Sequence, residues 1–195
     1  MPALGRCSLA GVIVAALVGS GCGGDPPDRE MQQAEGAIAA ARAAGADQYA
    51  HDEFSAAEDA LKHAHQAVGD RDYRLALNHA LDARERAQNA AKEAADQKAV
   101  ARVDADRALR DTTTALADAR AKLKAAETTR VPAKALAGPR RTIDDADASL
   151  QKARAAFSGG DYQGVPAMLE GTPARLHAAT REIDGATGAA GRRRR

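Results

Sequence analysis

The chain has no tryptophan, and three tyrosines and two phenylalanines are its only large aromatic side chains in 195 residues. Aromatic rings supply the largest single burial gains in a core. Whatever core forms here is therefore thin and built from small groups. Cysteine is nearly missing too, with Cys7 and Cys22 the only two. Cys7 sits in a segment expected to be removed, so no disulfide is expected to staple the body. No proline occurs from Asp28 to Val131, a stretch of 104 residues in which helices can run without interruption. Familiar catalytic strings are missing as well. There is no His-Glu-x-x-His, no glycine-rich phosphate loop and no Gly-x-Ser-x-Gly elbow.

Alanine is what the chain has in abundance, 51 of 195 residues. It is the best helix former, yet each copy buries little area. The composition predicts a strongly helical body with a narrow core. Without its first 21 residues the chain would have 174, enough for one ordinary domain or two very small ones. Formal charge is +1 but unevenly placed. Residues 22–191 carry an excess of four negative charges, and Arg192, Arg193, Arg194 and Arg195 return four positive ones.

The first 21 residues read as a secretory signal. Arg6 supplies the positive start, Leu9 to Val18 the apolar run, and Gly19 to Gly21 a small-residue exit. Ten apolar residues fall well short of the roughly 20 needed to span a bilayer, which argues against an uncleaved anchor. An ordinary cleaved leader with an incidental cysteine is the alternative. Cys22, placed directly after Ser20-Gly21, resembles the lipobox of bacterial lipoproteins. The resemblance implies diacylation of the Cys22 thiol, cleavage before it and acylation of the new amino terminus. That covalent lipid is the only group expected; no metal and no other cofactor is. Gly19 stands where a lipobox usually has leucine, and Leu17 and Val18 come one or two places early. Gly23, rather than aspartate, follows the cysteine. By the sorting rule of enterobacterial lipoproteins this implies the periplasmic side of the outer membrane over the inner membrane. Two or more acyl chains make such attachment stable, at about 0.8 kcal/mol per buried CH₂.

Glycine and proline punctuate the rest. Residues 22–30 form a polar linker in which Pro26 and Pro27 oppose helix. A first helix is expected from about Arg29 to Ala44, ending at Gly45. A second, capped by Asp47, runs to Val68 and ends at Gly69. A third, capped by Asp72, meets no glycine or proline until Pro132, which allows some 58 residues and roughly 85–90 Å. Pro132, Gly138 and Pro139 mark a turn. A fourth helix follows from about Thr142 to Phe157, and Gly159-Gly160 ends it. Asp161 caps a fifth to about Ile183, with a kink or break at Pro173 beside Gly171. The expected division is a leader at 1–21, a linker at 22–30, an alanine-rich helical domain at 31–131, a second hairpin at 132–184 and a disordered Gly/Arg-rich tail at 185–195. The fold class is all-α: elongated antiparallel hairpins in a coiled-coil-like bundle around one long central helix.

The third helix carries a packing seam. Ala80, Ala83, Ala87, Ala90 and Ala94 follow 3-4 spacing, as do Leu109, Thr112, Leu116, Ala119, Leu123 and Ala126. The two registers do not join by whole heptads, so the stripe shifts phase between Ala95 and Ala108, which changes supercoiling locally. A repeat is also visible. Ala57, Leu61, Ala64, Ala67, Asp72 and Tyr73 match Ala146, Leu150, Ala153, Ala156, Asp161 and Tyr162 at a constant offset of 89. Chance likeness between alanine-rich helices is the competing explanation. With Ala44-Gly45-Ala46, Tyr49-Ala50, Glu58 to Leu61 and Asp72-Tyr73, residues 30–100 resemble a family of uncharacterised bacterial lipoproteins with an alanine-rich helical hairpin; 142–185 echo it more weakly. Gly159-x-x-Tyr162 is similar to tetratricopeptide hairpins, but no 34-residue period is present. The family has no known catalytic residues, so none is implied.

Candidate chemistry is sparse. His63 and His65 are two apart and point about 200° away from each other on a helix, so they cannot share a metal. His51, His79 and His177 read as solvated. Ser55, Ser149 and Ser158 have no evident base. Asp144, Asp145 and Asp147 form the densest acidic cluster, near the expected start of the fourth helix, where the dipole favours negative charge. The sequence therefore predicts a non-enzymatic protein. Arg192 to Arg195, on a flexible leash, are the candidate surface for an anionic partner such as lipid head groups or cell-wall polymers. Nucleic acid is not expected for an exported chain. The reading favoured is a membrane-tethered spacer or adaptor for envelope proteins, similar in its alanine-rich coil and lipid anchor to the murein lipoproteins. Those end in a lysine joined to the wall, whereas arginine ends this chain. The alternative is a periplasmic helical module that binds a peptide or small ligand.

Overall fold

The computed structural model describes residues 25–193; the leader, Cys22, Arg194 and Arg195 lie outside them. In chain order the helices are α1 (Asp28–Ala44), α2 (Ala46–Tyr49), α3 (His51–Gly69), α4 (Tyr73–Thr128), α5 (Ala133–Ser158), α6 (Gly164–Leu169) and α7 (Thr172–Arg193). Among the described residues there is no strand, as the all-α expectation required. Helix α4 has 56 residues, about 84 Å at 1.5 Å per residue. It belongs to two helical packings arranged in series.

The first packing sets α1 and α3 along the first half of α4. Its layers are small: Met31 with Ala64 and Ala80, then Ala34 with Ala60 and Ala83. Ile38, Ala57 and Ala87 follow, and Phe54 and Tyr49 lie in the same cluster nearer the waist. The α4 stripe Ala76, Ala80, Ala83, Ala87, Ala90 and Ala94 is fully buried. Methyl-sized knobs let helix axes approach to the low end of the usual 8–10 Å. The second packing uses Thr112, Leu116, Ala119 and Ala126 of α4. They meet a richer set of leucines and isoleucines from α5, α6 and α7: Leu136, Ile143, Leu150, Leu169, Leu176 and Ile183.

Between the packings lies a waist. Ala94 and Ala105 are both fully buried and eleven residues apart, a heptad plus four. This is the expected phase shift, and it takes the form of a stutter. Residues 95–100 and 102–104 are exposed. Val100 and Val103 reach 57% and 55% exposure, so that face of α4 is bare there, while Ala101 packs on the first core.

Three helix ends share one hydrogen-bond pattern. After α3, Arg71 N–H donates to Val68 O and Asp72 N–H to Ala67 O; after α5, Gly160 donates to Phe157 and Asp161 to Ala156. After α4, Arg130 donates to Glu127 and Val131 to Ala126. Each is a Schellman closure with a left-handed residue at its centre: Arg71 at φ 60°, Gly160 at 89° and Arg130 at 58°. The first two pairs coincide at the offset of 89, and so do the aspartates that end them. Only Asp72 is an N-cap, however; Gln163, not the expected Asp161, holds that position before α6. Asp72 accepts from Leu75 N–H and Asp161 from Gly164 N–H, both at 3.0 Å. Because the third turn has the same closure without belonging to the repeat, the closure alone does not mark descent from a common copy. Asp72→Ala should cost about 1 kcal/mol, the usual value of an N-cap. Thermal unfolding followed by circular dichroism would measure it.

Several expectations need correction. The second helix is two: Ala50, at φ −144°, breaks it after α2, and Asp47 makes no capping bond. Gly69 is helical, and Arg71 takes the left-handed position instead. Helix α1 starts at Asp28, inside the expected linker. Pro139 does not end a helix; it lies within α5. An interior proline costs about 3 kcal/mol or more. However, Leu136, Pro139, Ile143, Ala146, Leu150 and Ala153 are all buried at 3-4 spacing, so core packing holds the helix together across it. With α5 starting at Ala133, Asp144, Asp145 and Asp147 lie mid-helix, away from the dipole, and Asp147 pairs with Arg120 at 2.9 Å. The break expected beside Gly171 is present, by contrast: with that residue at φ 69°, the fifth helix divides into α6 and α7.

The expected leash is also overturned. Gly185 to Arg193 continue α7. Ala186 and Ala190 extend the stripe Leu176, Ala179, Ile183 at 3-4 spacing and pack on the core. Thr187 donates its hydroxyl to Ile183 O. Gly185, Gly188 and Gly191 fall on the exposed face.

Position along α4 gives the molecule two poles. Met31, near the start of α1, packs beside Ala80, one turn or two into α4. At the other end Asp184 bonds Lys122 at 3.0 Å, and the nine described residues after it carry α7 to the end of α4. The start of α1 and the end of α7 are thus separated by most of the length of α4.

Candidate functional site

Two places outside the cores bring polar and apolar side chains of different helices together. The first is an open groove of about 650 Å³ between α1 and α3, on the side away from α4. Ile38, Ala39 and Leu61 form its apolar floor. The rims are charged and cross-linked. Arg42 bonds Glu58 and places its guanidinium 5.3 Å from the Phe54 ring centre. His65 Nε2 lies 3.4 Å from Glu35, and Lys62 and Gln66 complete the wall. These pairs are solvent-exposed, so each contributes about 0–1 kcal/mol.

The second is the waist, where the two packings touch. Gln48 Nε2 reaches Gln163 Oε1 at 3.4 Å, and Arg102 sits 6.0 Å from the Tyr162 ring centre. Tyr162 itself packs edge-on against Phe157 at 5.1 Å. The Tyr49 hydroxyl is buried beside the Tyr162 backbone without a full hydrogen bond. Burial pushes that phenol above its ordinary value; the Tyr162 backbone works against the shift, and the Asp161 carboxylate adds to it. The joint is therefore polar and thin compared with either core.

Elsewhere the charged side chains work as braces between helices. Arg86 bonds Asp82 at 3.1 Å and lies 3.6 Å from Glu53 across on α3. The Asp82 hydrogen bond, with that carboxylate's charge, holds the Arg86 guanidinium above its usual value. Lys122 is raised in the same way by Asp184. Arg140 closes the α4–α5 turn on Glu127 at 2.7 Å.

The residues singled out from sequence separate as follows. His65 turns to α1 and Glu35, while His63 turns the other way and meets His79 of α4, ring centres 5.5 Å apart. Their opposed directions were legible; the partner across the hairpin was not, because sixteen residues separate it. Ser149 donates its hydroxyl to Asp145 O one turn back. Arg192 lies exposed in the last turn of α7; Cys22, Arg194 and Arg195 are outside the described residues, as is the side chain of Arg193. No group of three or more histidine, cysteine, aspartate or glutamate side chains that could hold a metal ion is found among the described residues. No helix there is long and apolar enough to cross a membrane.

Residues 29–106 match the family model described as "Domain of unknown function (DUF4398)". The match begins with α1 and ends beside Ala105, the first α4 residue in the core of the second packing. It thus covers the first packing and the waist, and agrees with the resemblance read at 30–100 to an uncharacterised family. No curated protein and no solved structure matches the chain.

Proposed function

We propose that this chain is a lipid-tethered spacer or adaptor of the bacterial envelope, non-enzymatic, anchored through Cys22. One observation carries the reading: α4 runs through both packings, with the start of α1 at one pole and the end of α7 at the other. A lipid on Cys22, joined to α1 by a linker that ends before Asp28, would hold the first pole at a membrane. Arg192 to Arg195 would then stand at the far pole. Electrostatic attraction fades over a Debye length, about 8 Å at physiological ionic strength. An upright rod therefore presents that charge to an anionic surface other than its own membrane, such as a cell-wall polymer. The outer membrane, periplasmic side, is the proposed anchoring site.

Fractionation and scattering test this together. Wild type should partition with membranes and incorporate labelled palmitate. Cys22→Ser should lose the label and move to the soluble fraction while keeping its helical signal. Small-angle scattering of the soluble form should give a rod with a longest dimension on the order of the α4 length, about 84 Å. An unlabelled wild type would remove the anchor, and a compact particle would remove the spacer. The groove between α1 and α3 favours a second reading, a module binding an apolar peptide, because its floor is apolar and it is open to solvent.

A further inference from the structure

We propose that His63 and His79 form a two-imidazole site for a late first-row divalent cation, copper(II) foremost, clamping α3 to α4. The two rings lie 5.5 Å apart between centroids, inclined at 52°. At that separation a ring nitrogen from each can converge on one ion, since metal–imidazole bonds are about 2.0–2.1 Å. The inclination matters too. Parallel rings would direct their in-plane nitrogen lone pairs side by side, whereas inclined rings can direct them at a common point.

The backbone sets the pair in advance. His63 precedes Ala64 and His79 precedes Ala80, and those alanines pack together in one buried layer. The Schellman turn and the Asp72 cap fix the register between the two helices. Little ordering remains to be done when an ion arrives. His63 is exposed and His79 half-buried, so the ion can enter and water can complete its coordination. With no third histidine, cysteine or carboxylate grouped there, the site keeps open positions. Imidazole suits copper, zinc and nickel, and copper(II) heads the divalent affinity order. Magnesium and calcium want oxygen and are not expected to bind. His65, directed to Glu35 on the other face, takes no part.

The test uses the full chain with Cys7→Ser and Cys22→Ser in every sample, so that no thiol competes. Copper(II) and zinc(II) are titrated calorimetrically, with magnesium as control. Apparent copper affinity should fall at least tenfold in His63→Gln and in His79→Gln, and stay within twofold in His65→Gln and His177→Gln. Copper should also raise the unfolding temperature of the parent but not of either site variant, because an ion bridging α3 and α4 binds only the folded hairpin. Electron paramagnetic resonance of the copper form should show two nitrogen donors. The proposal is overturned if all four histidine variants lose affinity alike, or if the parent binds no better than His79→Gln.

Discussion

Ala99→Pro should bend the molecule at its middle while leaving both packings folded. Ala99 is exposed within α4, in the stretch between the two packings. Proline there removes the hydrogen bond from residue 99 to the carbonyl of Ala95, and its ring collides with that carbonyl. The local cost is about 3 kcal/mol or more, and a kink above about 20° is the usual outcome. Pro139 shows the contrast. It is buried in α5 on a continuous core stripe, and packing offsets its cost. At residue 99 no neighbouring helix can do so, and the joint near Gln48, Gln163 and Arg102 is too thin to hold the line. Small-angle scattering should show a shortened longest dimension, with helix content nearly unchanged by circular dichroism. Ala99→Ser should leave the scattering curve as it was. An identical curve for the proline variant would mean that the waist is braced by something beyond those contacts.

Leu150→Ala should have the largest effect on stability. Leu150 is 1% exposed and lies in the core shared by α4, α5, α6 and α7. Truncating a buried leucine costs about 2–5 kcal/mol, depending on how far the cavity collapses. For a unit of 60–100 residues each kcal/mol displaces the unfolding midpoint by about 4–8 °C. The first packing shares no core cluster with Leu150. Calorimetry should therefore resolve a lowered transition for the second packing and a nearly unmoved one for the first. A single transition shifted as a whole would show that α4 couples the two fully.

Much of this architecture was legible in the residues. Gly45 ended α1, Asp72 capped α4, and the alanine stripe with its phase shift gave both the long helix and its waist, because each depends on local chemistry or on a period within one helix. Errors arose where packing overrode a local signal. Pro139 and the glycines at 185, 188 and 191 looked like breakers, but the core-facing positions between and around them kept their 3-4 spacing. The better signal was the stripe Leu176, Ala179, Ile183, Ala186, Ala190. The left-handed Arg71 and Arg130 were invisible because their conformation is imposed by the closure around them. The groove and the His63–His79 pair depend on which helices become neighbours, and one helix's periodicity does not state that.

The alanine layers of the first packing have a thermodynamic corollary. Unfolding them uncovers many methyl groups but few larger apolar surfaces, and it is newly wetted apolar area that sets the heat-capacity step. A small step flattens the curve of stability against temperature. The half of the rod nearest the proposed anchor would then be modest in peak stability, yet change little between cold and warm surroundings.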